Sequence, residues 1–252
     1  MPENDYVIPT VGGENQKYSK EKLLEFALNP PKQNDELLSN VGLYLRSVML
    51  AKILYLNELY EIILDKPGVI MEFGVWWGAN QALFNNLRAV YEPYNRMRKV
   101  IGFDTFEGYP TVTAEDGGDQ SVAVGGYKMP EGYIDTLSEI LRIHEIDNPL
   151  EHIKKFELIK GNAPESLKKY FHDKPETSVA LAYLDMAMYE PTKEVLQILE
   201  PHMIRGGVIA LDEFGSSKFP GETKAFKEVF GLNKFKMRKS KFLPDRTIVI
   251  FE

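Results

Sequence analysis

Acidic residues close several of the apolar runs in this chain, and their positions indicate a site that does chemistry. Glu72 and Asp104 end two runs in the first half of the sequence, and Asp185 ends a third. The pair Asp212–Glu213 follows the last of these runs. In open α/β sheets ligands bind beyond the carboxyl ends of the strands, so we expect these carboxylates to share one edge of a sheet.

Asp185, Asp212 and Glu213 form the sharpest of these groups. Three carboxylates placed together repel one another unless a cation or a proton lies between them. The chain contains no cysteine, so an oxygen-rich site here favours Mg²⁺, Mn²⁺ or Ca²⁺. Such a cation would bind a substrate hydroxyl and lower its pKa. The alternative is that Asp212 or Glu213 caps the next turn and binds no metal.

Two glycines four residues apart, Gly74 and Gly78, separate an apolar run from a helix-like segment that begins near Gln81. Glycine allows a sharp turn and a close ligand approach, and a helix start offers unpaired N–H groups to an anion. Trp76 stands where the dinucleotide fingerprint requires its second glycine. The segment is therefore a purely structural turn or a ligand-binding turn of another kind, and the Trp76 ring either walls a pocket or packs in the core.

Two further strand ends carry polar residues suited to a nucleoside. Asp104 could accept hydrogen bonds from both hydroxyls of a ribose, or it could cap a turn. Gly161 and Asn162 could let an adenine ring approach the backbone, and a plain turn explains this pair as well.

Composition limits the class of protein that must position these residues. The chain has 252 residues, 44% hydrophobic and 27% charged, which suits one α/β domain with an elaborated end, or at most two small domains. A net charge of −7 argues against nucleic-acid binding, because such a footprint is basic. The sequence shows no signal-peptide pattern and no apolar run long enough to span a membrane. We therefore expect a cytoplasmic protein without a membrane or nucleic-acid partner.

Short apolar runs alternate with helical patterns through most of the chain, which indicates a parallel sheet covered on both faces. The five parallel strands are predicted at Val69–Phe73, Val100–Phe103, Phe156–Ile159, Val179–Leu184 and Gly207–Leu211. Two last strands, Phe235–Lys241 and Thr247–Phe251, have no room for a helix between them. They must pair as an antiparallel hairpin.

Two segments fall outside this pattern. Residues 1–40 are polar and are predicted to form an N-terminal arm or lid, with a short helix near Lys20–Ala27, whereas residues 41–252 form the main domain. A long stretch without regular structure, residues 107–132, contains two Gly-Gly pairs. A loop of this length is usually a functional lid or a disordered segment, and a variable surface loop is the alternative.

Four segments together resemble the macrocin O-methyltransferase (TylF-type) family of S-adenosylmethionine (SAM)-dependent sugar O-methyltransferases. They are Glu72-Phe-Gly-Val, Asp104-Thr-Phe-Glu-Gly-Tyr-Pro, Leu184-Asp-Met-Ala-Met-Tyr-Glu-Pro-Thr192 and Gly206-Gly-Val-Ile-Ala-Leu-Asp-Glu-Phe214. The segment Phe219-Pro-Gly-Glu-Thr-Lys-Ala225 resembles a branch that acts on dTDP-6-deoxy-L-hexoses at the 3-hydroxyl. The resemblance implies a class I methyltransferase fold with a seven-stranded sheet, five strands parallel and the last two an antiparallel hairpin.

The resemblance also implies roles for individual residues. Asp185 would be the base, and Asp185, Asp212 and Glu213 would bind Mg²⁺. The SAM-binding residues would be Glu72, Phe73, Gly74, Trp76, Gly78, Asn80, Asp104, Thr105, Phe106, Gly161, Asn162, Ala163 and Asp185. We expect four tyrosines to face the sugar acceptor: Tyr109, Tyr127, Tyr133 and Tyr189.

This chain departs from the family pattern at two positions. Ala187 replaces an acid that the family usually has, and Glu213 replaces the second residue of an Asp-Asp pair. The first change removes a carboxylate beside the predicted site. The leading hypothesis is a Mg²⁺-assisted sugar O-methyltransferase that acts as a homo-oligomer, a dimer. The alternatives are a catechol-type O-methyltransferase and a SAM-binding protein without catalysis.

Overall fold

A computed structural model of the protein describes residues 13–29, 37–119 and 122–252. The chain divides into two compact units, Met1–Ile53 and Leu54–Glu252. The first unit contains helix α1 (Glu14–Leu28), which is longer than the helix predicted near Lys20–Ala27. Residues 1–12 and 30–36 of the predicted arm lie outside the described residues, so the proposed role of that arm stays a prediction.

The second unit is built on one sheet of seven strands. The strands are β1 (Val69–Phe73), β2 (Val100–Asp104), β3 (Phe156–Lys160), β4 (Val179–Leu184), β5 (Met203–Leu211), β6 (Lys236–Lys239) and β7 (Thr247–Ile250). Their order is β3-β2-β1-β4-β5-β7-β6. Strands β1 to β5 pair in parallel, and β7 pairs antiparallel with both β5 and β6. The predicted sheet, including its C-terminal hairpin, is confirmed.

Helices alternate with the parallel strands, as the sequence pattern predicts. They are α2 (Ser47–Ile63), α3 (Ala79–Tyr91), α4 (Tyr133–Ile146), α5 (Ala163–Asp173), α6 (Tyr189–Leu199) and α7 (Pro220–Phe230). A separate 3₁₀ turn, Val41–Leu43, precedes α2 in the chain.

The core lies on both faces of the sheet, because successive strand residues point to opposite sides. Met71 and Phe73 of β1 pack in one apolar cluster, with α5, α6 and α7. Ile70, the residue before Met71, packs in the other cluster with α2 and α3. Burial of each such side chain contributes roughly 1.5–3 kcal/mol, so the carboxyl ends of the strands project from a rigid base.

The C-terminal hairpin is fastened to α2 through Glu58. This buried carboxylate accepts hydrogen bonds from Arg238 Nη1 at 2.5 Å and from Ser240 Oγ at 2.7 Å. Burial alone would raise the pKa of Glu58, but these bonds outweigh it and hold the pKa below its ordinary value. The hairpin turn that carries Arg246 is therefore held in place.

No helix in the described ranges has the length and apolar content that a bilayer span requires.

Candidate active site

One cavity opens at the carboxyl ends of the parallel strands and collects residues from four of them. Gly74 follows β1, Asp104 ends β2, Gly161 follows β3 and Asp185 follows β4. Glu213, two residues beyond β5, also lines it. The expected convergence at this edge of the sheet is therefore present, as the strand order requires.

Asp104 is bonded to the turns on both sides of it. Its Oδ2 accepts the Trp76 N–H at 2.8 Å, and its Oδ1 accepts the Phe106 N–H at 2.6 Å. Trp76 and Phe106 both adopt left-handed backbone conformations, with φ of 50° and 55°, which are costly for side chains of this size. Asp104 thus stabilises two strained turns. Each carboxylate oxygen can accept a second hydrogen bond. Asp104 can therefore cap these turns and still accept hydrogen bonds from ribose hydroxyls.

The Glu72 side chain lies in the interior of the fold. It is fully buried, and its two oxygens accept hydrogen bonds from Asn80 Nδ2 at 2.8 Å and Gln81 Nε2 at 2.7 Å. These bonds tie the end of β1 to the first turn of α3. Of the residues predicted in this segment, Gly74 and Trp76 line the cavity. The described lining does not include Glu72, Phe73, Gly78 or Asn80, whose direct contact with SAM stays a prediction.

The two glycines of this turn meet specific steric demands. A Cβ on Gly74 would lie 2.1 Å from the Asp185 carbonyl oxygen, so a side chain there would push β1 and β4 apart. Gly78 has φ of 76°, and a Cβ there would lie 2.3 Å from the Leu137 side chain of α4. Packing therefore requires glycine at both positions, whether or not the turn binds a ligand.

The nucleoside side of the cavity includes most of the residues predicted there. Gly161, Asn162 and Ala163 line it where β3 leads into α5, and Thr105 lines it beside Asp104. Phe106 is buried in an apolar cluster with Val75, and Phe103 contributes to the lining instead. Sequence reasoning missed Phe103 because it belongs to the strand.

The three acids predicted to share a cation do not form one group. Asp185 and Glu213 line the cavity, whereas Asp212 is 4% exposed and bonded elsewhere. Its Oδ1 accepts the Tyr183 hydroxyl at 2.5 Å and lies 2.7 Å from Arg246 Nε. Among the described residues no three His, Asp or Glu side chains are arranged to hold a metal ion. In this arrangement the carboxylates do not fit a Mg²⁺ ion bound by all three.

Glu222 is an acid at this site that sequence reasoning missed. It is fully buried in the first turn of α7, and its Oε1 accepts the Glu213 N–H at 2.9 Å. Its Oε2 has no hydrogen-bond partner among the described residues. Burial, followed by the nearby charge of Asp212, raises the pKa of Glu222 well above its ordinary value. Burial and Asp212 also raise the pKa of Glu213, to about 7.

Residues 107–132, here called the lid segment after their predicted role, contribute several residues to the wall of the cavity. The Tyr109 N–H donates a hydrogen bond to the Gly126 carbonyl oxygen at 3.1 Å, and Tyr109 and Tyr127 both line the cavity. The Tyr127 ring packs between two others: its centroid lies 5.4 Å from that of Tyr109 and 5.7 Å from that of Trp76. The predicted acceptor-facing residues thus include two that reach the cavity.

The other two predicted tyrosines have different surroundings. Tyr133 donates its hydroxyl to the Trp77 carbonyl oxygen at 3.0 Å, and its ring packs on the Trp77 ring. The Tyr189 hydroxyl pairs with Glu228 on the outer side of α6 and α7. Neither residue is part of the described lining, so their contact with an acceptor stays a prediction. The wall also contains residues that were not predicted as site residues: Gly108, Pro110, Gly126, Met186, Ala187, Met188, Pro191 and Phe219.

The chain is similar to methyltransferases of natural-product pathways. The sequence profile of the macrocin O-methyltransferase (TylF) family matches residues 52–234. A Streptomyces olivaceus protein, 8-demethyl-8-(2,3-dimethoxy-alpha-L-rhamnosyl)-tetracenomycin-C 4'-O-methyltransferase, is 26% identical over 160 residues. That match covers 59% of this chain and 53% of the relative, so the chain spans about half the length of this curated protein.

Two solved structures of the calicheamicin methyltransferase CalS11 resemble this one over nearly its full length. The first has a TM-score of 0.93 at 35% identity and covers 98% of this chain and 95% of that one. The second is an apo structure described as a TDP-rhamnose 3'-O-methyltransferase, with a TM-score of 0.85, 33% identity and coverage of 98% and 97%. By the match to its profile and by these relatives, the chain belongs to the macrocin O-methyltransferase (TylF) family.

Proposed function

We propose that this protein transfers a methyl group from SAM to a hydroxyl of a deoxysugar, either nucleotide-linked or part of a glycosylated natural product. The observation that carries the proposal is the single cavity lined by both Asp104 and Asp185, in a chain of this family. The relatives favour a 6-deoxyhexose acceptor, since their names specify rhamnosyl or TDP-rhamnose substrates.

Two observations support SAM as the molecule that binds in this cavity. Asp104 keeps lone pairs for ribose hydroxyls while it caps its turns. Gly161, with φ of 148°, leaves bare backbone beside the cavity, where a Cβ would lie 2.7 Å from Ser166 Oγ. The bound cofactor supplies a methyl group on a sulfonium, which an oxygen nucleophile can attack. The protein's main task is then to hold and align that nucleophile.

Asp185 is proposed as the base. It accepts the proton of the acceptor hydroxyl while that oxygen forms its bond to the methyl carbon, and the electrons of the broken S–C bond stay on sulfur. Met186, Met188 and Phe219 line the cavity beside Asp185, so they exclude water from this proton transfer. Tyr109 and Tyr127 offer rings and hydroxyls to the sugar.

The proposal also includes a bound Mg²⁺ ion that assists the reaction. Oxygen ligands suit this ion, and Asp212, whose Oδ1 is paired with Arg246, would have to bind it together with Asp185 and Glu213. The test is dialysis against EDTA followed by return of Mg²⁺. Loss and recovery of activity would support a bound cation. Full activity in EDTA would mean that methyl transfer needs no bound cation.

The function is tested by methyl transfer from labelled SAM to three acceptors: TDP-L-rhamnose, a rhamnosylated aromatic polyketide and a catechol. We expect transfer to one of the two sugars and none to the catechol. Preferred turnover of the catechol would favour the catechol-type alternative. SAM binding without transfer to any acceptor would favour a binding protein without catalysis.

Assembly as a homodimer is part of the same proposal. Size-exclusion chromatography with light scattering should give about twice the mass of the chain, and a monomer at assay concentrations would contradict it.

A further inference from the structure

Asp116 connects the lid segment to the turn that carries Asp185. It ends a short 3₁₀ helix, Ala114–Asp116, and is 1% exposed. Its Oδ1 accepts the Tyr189 N–H at 2.5 Å, and its Oδ2 accepts the N–H and the hydroxyl of Thr113 at 2.7 and 2.9 Å. One buried carboxylate thus bonds both to its own loop and to the first residue of α6.

Helix α6 depends on this contact for its cap. Its N-cap residue is Met188, which makes no side-chain capping bond. The first N–H groups of a helix need acceptors from elsewhere, and a carboxylate there also interacts favourably with the helix dipole. Asp116 supplies that carboxylate from 73 positions earlier in the chain.

The turn before α6 has an unfavourable backbone conformation that needs support. Ala187 has φ of 60°, in the left-handed region, which a residue with a side chain rarely adopts. Met188 N–H bonds back to the Met186 carbonyl at 2.7 Å. The turn begins directly after Asp185, so a change in its conformation would be transmitted to the backbone that carries the Asp185 side chain.

Gly221 allows the three segments to meet. A Cβ at this position of α7 would lie 2.7 Å from each of three atoms: the Ala187 carbonyl oxygen, Asp116 Oδ1 and the Tyr189 nitrogen. An apolar cluster of Val122, Ala187, Met188 and Phe219 surrounds the junction, with Tyr109 and Val112 of the lid segment packed against it. The lid segment, the turn and α7 therefore meet at one buried point.

We propose that Asp116 is a positioning residue for methyl transfer: it holds the Asp185–Met188 turn in its reactive conformation and makes that conformation depend on the lid segment. The inference rests on the proposed function, because it takes Asp185 as the base. Asp116 itself does not touch the reacting atoms.

The test compares Asp116→Ala and Asp116→Asn with Glu115→Gln as a control that alters charge at the neighbouring residue. We expect Asp116→Ala to lower kcat on the order of 100-fold, because small misplacements of a reacting group cost about this much. SAM affinity should stay close to wild type, since the Asp104 and Gly161 side of the cavity is untouched. Asp116→Asn keeps an acceptor for the Tyr189 N–H and should retain more activity than Asp116→Ala.

Hydrogen exchange gives a readout that does not need turnover. The Tyr189 amide and residues 107–119 should exchange faster in Asp116→Ala, while β1 should exchange as in wild type. Wild-type kcat with wild-type exchange in Asp116→Ala, or an equal loss in Glu115→Gln, would overturn the inference. If Asp116→Ala fails to fold, the comparison of Asp116→Asn with Glu115→Gln tests the inference, with kcat and hydrogen exchange as the two measurements.

The exchange result also separates this inference from the proposed function. A wild-type protein without methyl transfer to any acceptor would refute the function, whereas unchanged exchange at the Tyr189 amide in Asp116→Ala would by itself refute the role of Asp116.

Discussion

Arg246 lies against Asp212 in an ion pair, with 2.7 Å between Nε and the Asp212 Oδ1 atom. The same oxygen accepts the Tyr183 hydroxyl, so this acid has two partners behind the cavity. Arg246 belongs to the turn between β6 and β7, which Glu58 fastens to α2. The C-terminal hairpin therefore reaches back to the catalytic edge and supplies a cation to an acid that the sequence predicts as a metal ligand.

Replacing this cation should change both stability and metal affinity. Arg246→Met leaves Asp212 buried without its ionic partner, which should lower the free energy of unfolding by on the order of 3 kcal/mol. The freed carboxylate should also bind Mn²⁺ more tightly, as measured by electron paramagnetic resonance of free Mn²⁺. Arg246→Lys, which keeps the charge, and Arg96→Met at an exposed arginine are the controls. Unchanged Mn²⁺ affinity in Arg246→Met would show that Asp212 takes no part in cation binding.

Asp104 is predicted to contribute to SAM affinity through the ribose. Asp104→Ala should weaken binding by about 1–3 kcal/mol, because the ribose hydroxyls lose their acceptor. The same change removes the acceptors for the Trp76 and Phe106 N–H groups, so the melting temperature should fall as well.

A SAM analogue without ribose hydroxyls separates these two effects. Wild type should prefer SAM over the analogue, and folded Asp104→Ala should lose that preference, which isothermal calorimetry can measure as a coupling energy. An undiminished preference would mean that Asp104 only supports its turns.

Asp185 is predicted to act in the chemical step. Asp185→Asn should lower kcat by about 10²- to 10⁴-fold, the usual contribution of a general base. Glu190→Gln, an exposed acid in the first turn of α6, is the matched control. A wild-type rate in Asp185→Asn at saturating substrates would assign the proton to another acceptor.

The lid segment is predicted to become more protected when the site is filled. Tyr109 and Tyr127 line the cavity from this segment, so ligands that contact them should slow amide exchange across residues 107–132. SAM together with the acceptor should protect more than SAM alone. Strand β5 serves as the internal reference. Equal exchange with and without ligands would make the segment a structural loop without a role in closure.

Local patterns in the sequence determined the elements and their order. Short apolar runs such as Val179–Leu184 alternate with helical patterns, and these patterns depend on neighbours only a few residues away. The hairpin was predictable because Leu243–Arg246 leaves no room for a crossover helix. The cavity at the strand ends then followed from the general placement of ligand sites in parallel sheets.

The tertiary structure decided which side chains face the cavity. Asp212 and Glu213 are adjacent in sequence, but they come at the end of a strand, where neighbours point to opposite faces, and Arg246 pairs with only the first of them. Glu72 likewise turns inward because Asn80 and Gln81 meet it from the next helix. Asp116 caps α6 across 73 positions of chain. Such contacts join residues that are distant in sequence, so they exist only once packing has brought their segments together, and no local pattern encodes them.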